Sequence, residues 1–214
     1  MPFSALPFPD SFPVFPLTGA LLLPGGKLPL NIFEARYLAL VDDALAGGRM
    51  FGMIQPDPAL ADTANGSALY RVGCLGRLVS FSETEDGRYL ITLLGVARFQ
   101  VVDELPMRHG YRRVQARKLA FETALPPDRF DRAGLLAALR PFFTRHGMEV
   151  NWDSVERMPV EALITTLAMV CPFNPAEKQA LLESDGLEAQ AAALLTLLRM
   201  DAYATDDAPH HGFS

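Results

Sequence analysis

Glu34 and Arg36 are the charged pair with the most pointed placement in this chain. They sit where the sequence changes period, within Pro24-Gly25-Gly26-Lys27-Leu28-Pro29-Leu30-Asn31-Ile32-Phe33-Glu34-Ala35-Arg36-Tyr37. A carboxylate and a guanidinium held at a turn could recognise a charged or hydrogen-bonding group. The plainer role is fastening: Glu34 in a helix's first turn, where negative charge is favoured, and Arg36 tying that helix to a sheet. Phe33 and Tyr37, at i and i+4, read as core aromatics. Further on, Asp57 to Leu69 is polar, small and glycine-containing, which predicts a mobile surface loop of the kind that often carries binding. The candidate binding residues are therefore Phe33, Glu34, Arg36, Tyr37, Asp57 and Asn65.

Other chemistries find less footing. Arg108, Arg112, Arg113, Arg117 and Lys118 form a basic cluster around Tyr111. Strand alternation would send Arg113 and Arg117 to one face and Arg112 and Lys118 to the other, which splits the patch into a solvated strand surface. His109 and His146 are isolated, His210-His211 lies in the tail, and neither Cys74 nor Cys171 has a partner at metal-ligand spacing. No metal or cofactor is expected. No G-x-S-x-G elbow appears, and none of Lys27, Lys118 and Lys178 completes a G-x-x-x-x-G-K-[ST] loop. The residues point to a binding module with no catalytic residue.

The bulk numbers narrow the partner. Half of the 214 residues are apolar, so a substantial core is expected, and the net charge of -6 opposes non-specific attraction to nucleic acid or anionic membrane. Both cysteines lie inside apolar runs and read as buried free thiols. Met1 to Asp10 lacks a basic start and a continuous apolar stretch, so it is not a secretory signal. No apolar run reaches the length of about 18 residues that a membrane span needs. A cytoplasmic protein is expected.

The elements that must position these residues follow from period and punctuation. Phe12 to Leu17 is a short strand whose Pro13 and Pro16 suit a sheet edge or a strand end. Thr18 to Leu23 is a connection. Leu28, Leu30 and Ile32 alternate as a strand does, and from Phe33 a helical spacing takes over through Tyr37, Leu38, Val41, Ala44 and Leu45 until Gly47-Gly48. Met50 to Gln55 is a strand. Val72 to Thr84 and Tyr89 to Val102 flank Glu85-Asp86-Gly87-Arg88 as a hairpin, and Gly73, Gly76 and Gly95 predict bulges in a sheet curling towards a barrel. Tyr111 to Phe121 is the last strand.

After Pro126-Pro127 the strand period does not return. Helices are expected over Phe130 to His146, kinked or broken at Pro141, then Pro159 to Val170, then from the Asn174-Pro175-Ala176-Glu177 cap to Glu183, and finally Leu187 to Tyr203. Strands first and helices after predict an α+β chain with two subdomains, 12–124 and 125–203, between poorly ordered ends 1–11 and 204–214. Phe12 to Leu23, rich in proline and apolar residues, is expected to leave an apolar groove between the two halves. That groove would suit extended polypeptide, bound by apolar contact and strand addition.

Taken in order, Phe15-Pro16-Leu17, Pro24-Gly25, Leu28 to Tyr37, Phe51-Gly52, Val72-Gly73-Cys74, Asp86-Gly87-Arg88-Tyr89, Gly95 to Arg98-Phe99 and Lys178-Gln179-Ala180-Leu181-Leu182-Glu183 resemble the substrate-binding domain found at the N-terminus of Lon proteases. The resemblance covers roughly residues 12 to 200. It implies a PUA-like β-barrel with a packed helix, followed by a C-terminal helical bundle. It also implies a stand-alone form, ending where an ATPase and a peptidase would begin. The partner so implied is unfolded polypeptide or a protein, which the module would pass to a separate protease, and self-association as a homodimer is a further expectation. The alternative is an RNA- or small-ligand-binding PUA-like domain, since that fold includes RNA binders. Gly26-Lys27 and Ala189-Gln190 depart from the family's usual residues and bear on the partner more than on the fold.

Overall fold

The computed structural model describes residues 8–126 and 129–203. In chain order its elements are β1 (Ser11–Pro16), β2 (Lys27–Ile32), α1 (Ala35–Ala46), β3 (Met50–Ile54), β4 (Val72–Glu83), β5 (Tyr89–Arg108), β6 (Tyr111–Lys118), α2 (Arg132–Arg145), α3 (Trp152–Arg157), α4 (Val160–Val170), α5 (Pro175–Glu183) and α6 (Leu187–Tyr203). The expected α+β class holds. Residues 1–7 and 204–214, including His210-His211, lie outside the described residues. Phe8, also expected in a poorly ordered leader, packs edge-on against Phe12.

The strands form one mixed sheet in the order β2-β5-β4-β3-β1-β6, and β5 pairs with β6 as well. β1 and β3 run parallel, and the other pairings are antiparallel. β5 is the strand the sheet turns on. Tyr89 to Leu94 lies between β2 and β4, and from Phe99 onward β5 runs beside β6. Register shifts at Leu75/Gly76 and at Val101/Asp103 bend it between those partners. Gly95 shows why a side chain is excluded at the bend. A Cβ there would sit 2.0 Å from the Leu23 carbonyl oxygen, because the Pro24-Gly25-Gly26 turn pairs directly onto mid-β5. Gly25 N–H donates to Gly95 O and Gly95 N–H to Gly26 O, each at 2.9 Å.

Three local expectations need correcting. Of the two readings of β1's prolines the sheet edge fails, since β1 lies between β3 and β6, while the strand end holds for Pro16, its last residue. Its prolines are tolerated because its partners are staggered: Pro13 is paired only with Arg113 of β6 and Pro16 only with Ile54 of β3. α2 runs through Pro141 unbroken. The proline and Ala137, whose carbonyl it leaves free, both lie on the exposed side, where water can take the missing donor's place. β5 does not stop at Val102. It continues to Arg108 and returns through His109-Gly110, whose φ of 48° and 82° are those of a tight hairpin turn. α3 was not expected, and Asn151 caps it by accepting from Ser154 N–H. The box on α5 is present in full: Asn174 Oδ1 accepts from Glu177 N–H and Glu177 Oε2 from Asn174 N–H.

β2 pairs with β5 alone among the described strands, so its other side is a sheet edge. Pro29 stands in the middle of it, and proline in a sheet keeps its ring nitrogen on the outer side of such an edge.

The buried side chains form two groups. Phe12, Val14, Ile54, Leu75, Phe99, Val101 and Val114, all from the strands, form the smaller one. A larger core runs from Phe15, Tyr37, Leu40 and Phe51 without a break into Leu139, Phe142, Ile164, Leu167, Leu181 and Leu198 of the helices. Leu21, Leu22 and Leu23 belong to it. The apolar residues of the groove expected along Phe12 to Leu23 are mostly turned inward: Phe12, Val14, Phe15 and Leu21 to Leu23 are buried, Pro13, Pro16, Leu17 and Ala20 half-buried, and Thr18 exposed.

A polar seam joins sheet to helices. Arg98, only 4% exposed, donates to the carbonyls of Leu182 and Ser184 at the end of α5 and to that of Ala120. Its guanidinium lies 4.5 Å from the Phe121 ring centre. Gln55 donates to Pro175 O and Gln179 Oε1 and accepts from Gly19 N–H. Gln179 in turn donates to Val72 O and Glu183, and Lys178 reaches Gly19 O at 2.8 Å. Arg98 is an inward-facing fastener.

Candidate functional site

α1 opens at Glu34, which is the residue before the helix and makes no capping bond through its side chain. Its carboxylate instead takes Arg36 Nη2 at 2.8 Å, with both groups half-exposed. The Arg36 guanidinium covers Tyr37 at 4.5 Å from the ring centre, and Tyr37 packs against Phe15 at 4.1 Å between centroids. Burial raises the Tyr37 hydroxyl above its usual range. Phe33 departs from expectation. It is 65% exposed and no core residue, because it falls before the helix begins, and the i,i+4 relation with Tyr37 is never formed.

Asp57 to Leu69 is tied down along its length, contrary to the expected mobile loop. Asp57 N–H donates to Ala68 O, Thr63 and Gly66 exchange backbone bonds, and Pro56 bridges to Leu69. The Asp57 carboxylate accepts from Ala59 N–H. Asn65 Nδ2 reaches Glu104 Oε2 at 3.1 Å. Arg112 completes the attachment: it pairs with Glu104 at 2.5 Å and donates to Ser67 O at 2.6 Å.

These three pieces enclose a pocket of about 210 Å³ whose walls include Arg36, Tyr37, Asn65, Met107, Tyr111 and Arg112. Of the six candidate residues, Arg36, Tyr37 and Asn65 are thus brought together. Glu34 touches the site only through Arg36, while Phe33 and Asp57 do not line it. Met107, Tyr111 and Arg112 were missed. Arg112, expected on a solvated surface, is 7% exposed. It alternates with the buried Val114 and Ala116, a signal that an arginine on that face needs an internal partner such as Glu104.

The far wall is held by Asp43 of α1. Its Oδ2 accepts from Tyr111 Oη at 2.5 Å and lies 3.0 Å from His109 Nδ1 and 3.4 Å from Arg108 Nε. The Tyr111 hydrogen bond, with the His109 contact and the Arg108 charge beside it, holds the Asp43 carboxyl below the usual range. Burial first, and then Asp43, pushes Tyr111 up to about 12. The β5–β6 turn is thereby fixed against the helix that carries Arg36.

A second recess, of about 550 Å³, lies where the sheet meets the helices, between Pro24 to Lys27 and the face of α4 bearing Glu161, Thr165, Met169 and Val170. Val170 is 52% exposed there. This crevice, and not Phe12 to Leu23, is the open ground facing the helical half. Among the described residues no group of His, Cys, Asp and Glu is arranged to hold a metal ion. Cys74 and Cys171 are buried, and burial pushes both thiols up to about 12.

Known proteins share this fold. Residues 11–200 match the family model described as the ATP-dependent protease La (LON) substrate-binding domain. Lon protease 2 of Myxococcus xanthus is 27% identical over 202 residues, covering 89% of this chain and 24% of its own length. The chain thus spans about a quarter of the curated relatives it matches across most of its length. A solved Lon N-terminal domain protein from Xanthomonas campestris superposes with a TM-score of 0.62 at 23% identity, covering 88% of this chain and 97% of that one. The N-terminal domain of the Mycobacterium avium complex Lon protease gives 0.64 at 19% identity, covering 91% and 99%.

Proposed function

This chain belongs to the family of the ATP-dependent protease La (LON) substrate-binding domain, and from that premise we propose that it is a non-catalytic module that binds polypeptide. The observation that carries the reading is the match over residues 11–200, which takes in every described element from β1 and all but the end of α6. We read the pairing of β5 with both β4 and β6 as a PUA-like barrel carrying α1, and α2 to α6 as a helical bundle. The two recesses have the mixture of apolar wall and hydrogen-bonding groups that suits peptide. Strand addition along β2 has less support, because Pro29 interrupts that edge. We place the activity in the cytoplasm, where the module would present its cargo to a separate protease; no described helix is long and apolar enough to cross a membrane.

The RNA-binding alternative has less support. Arg112 is buried and paired with Glu104, Arg117 is bonded to Gln100, and Arg108 faces Asp43. Three of the five cations of that cluster are thus committed to partners within the fold, which weakens it as a track for a phosphate backbone. The test is photo-crosslinking from a benzophenone side chain placed at Met107 or at Thr165, with permanently unfolded casein as the probe. Adducts at either position are expected. No adduct at both, together with no change in casein anisotropy on adding the protein, would overturn the proposal.

A further inference from the structure

The pocket beside α1 has a one-sided chemistry. Two guanidiniums and an amide line it and no carboxylate does, although the chain as a whole carries a net charge of -6. Arg112 commits Nε and Nη2 to Glu104 and Nη1 to Ser67 O, which makes it a fixed background charge. Arg36 is different. Its Nε and Nη2 are engaged by Glu34 alone, in an ion pair whose members are 51% and 46% exposed. An exposed pair of this kind contributes little, so a ligand carboxylate can replace Glu34 at small cost. The Tyr37 hydroxyl has no hydrogen-bond partner among the described residues, and Pro16, Pro56 and Met107 supply apolar wall. The space suits a side chain or a chain end and is small for a nucleotide.

We propose that this pocket takes a carboxylate of the bound polypeptide, from its C-terminus or from an Asp or Glu side chain, with Arg36 turning from Glu34 to the ligand. The inference rests on the polypeptide-binding reading above. Long-range attraction of an acidic peptide is opposed by the net charge, so discrimination arises from contact inside the pocket. Glu34 becomes an internal competitor that holds Arg36 until a ligand arrives.

The test is fluorescence anisotropy with a short rhodamine-labelled peptide of Leu, Phe and Ser in three forms: free C-terminal acid, C-terminal amide, and amide with one internal Glu. The acid should bind about tenfold more tightly than the amide, the scale of one charge-assisted hydrogen bond. Recovery of affinity by the internal Glu assigns side-chain carboxylates as ligands; no recovery assigns the chain terminus alone. Arg36→Gln should erase the difference between acid and amide. Glu34→Gln should tighten the acid by roughly two- to threefold and leave the amide unchanged, a gain that a merely structural role for Glu34 does not give. Equal binding of all three forms by the wild-type protein, or a difference that survives in Arg36→Gln, overturns the proposal. Unfolded casein separates the two levels. If it binds while all three peptide forms bind alike, polypeptide binding stands and the carboxylate subsite falls; if it does not bind, both fall.

Discussion

Replacing Arg98 by Ala should loosen the helices from the sheet before either half unfolds. Arg98 donates at 2.8 and 2.5 Å to the carbonyls of Leu182 and Ser184, and at 3.0 Å to that of Ala120. The first two belong to the end of α5, where a helix leaves its last carbonyls unsatisfied and carries partial negative charge. Each charge-assisted bond is worth about 1.5–3 kcal/mol, but the three share one guanidinium and do not add. The loss should therefore fall near the range of about 3–5 kcal/mol seen when one partner of a buried charged contact is removed. For a chain of this size, that corresponds to a fall in Tm of roughly 10 °C. Arg98→Met restores the volume but no donor, and should stay within about 1 kcal/mol of the alanine variant. The assay is urea unfolding followed by two probes. Trp152, the only tryptophan, packs against Phe143 and under Arg140 in the helical half and reports its release. Far-UV circular dichroism reports the whole. The transitions should coincide in the wild-type protein and separate in Arg98→Ala, with fluorescence changing first. A loss below about 1 kcal/mol for Arg98→Met would refute the reasoning, because it would mean that the carbonyls do not need this donor.

Three further outcomes are expected. Gln55→Leu and Gln179→Leu should each cost about 1–3 kcal/mol, since each strands a buried partner of the other, and a double-mutant cycle in urea should return a coupling of about 1 kcal/mol. Asp43 is held below its unfolded value, so its contribution is complete above about pH 4 and is lost as pH falls through the lower folded value. The penalty of Asp43→Asn, measured by urea titration, should accordingly be larger at neutral pH than in acid; a pH-independent penalty contradicts the assignment. Cys74 and Cys171, pushed up to about 12, have a thiolate fraction of only about one in ten thousand at pH 8. Mass spectrometry after brief iodoacetamide treatment should find both unmodified in the native protein and both alkylated in urea.

Local signals carried the architecture well. The period change at Phe33, the Asp86-Gly87 turn and the Asn174 capping box are each set by neighbours in the chain, so they are visible in it. Partner-dependent features were not. Arg98 and Arg112 look like ordinary polar positions on alternating strands, and only the end of α5 and Glu104 explain why they turn inward. β1 escaped its edge-strand reading because the stagger of β3 and β6 cannot be seen from Pro13 and Pro16 themselves. The site shows the same division. Arg36, Tyr37 and Asn65 were nameable from type and setting. Met107 and Tyr111 join them through the His109-Gly110 turn, whose significance depends on β5 running past Val102. The motif residues Arg98, Lys178 and Gln179 prove to have one shared task, the seam between sheet and helices.

The proline in β2 bears on how this protein behaves among its own copies. A strand with one open edge, with Phe33, Phe81 and Leu90 exposed nearby, is the arrangement from which intermolecular sheets grow. Growth needs an unbroken row of donors and acceptors, and Pro29 removes a donor from the middle of that row while the exposed Lys27 adds charge at its start. Pro29 and Lys27 thereby work against edge-to-edge pairing of β2 between copies of this chain.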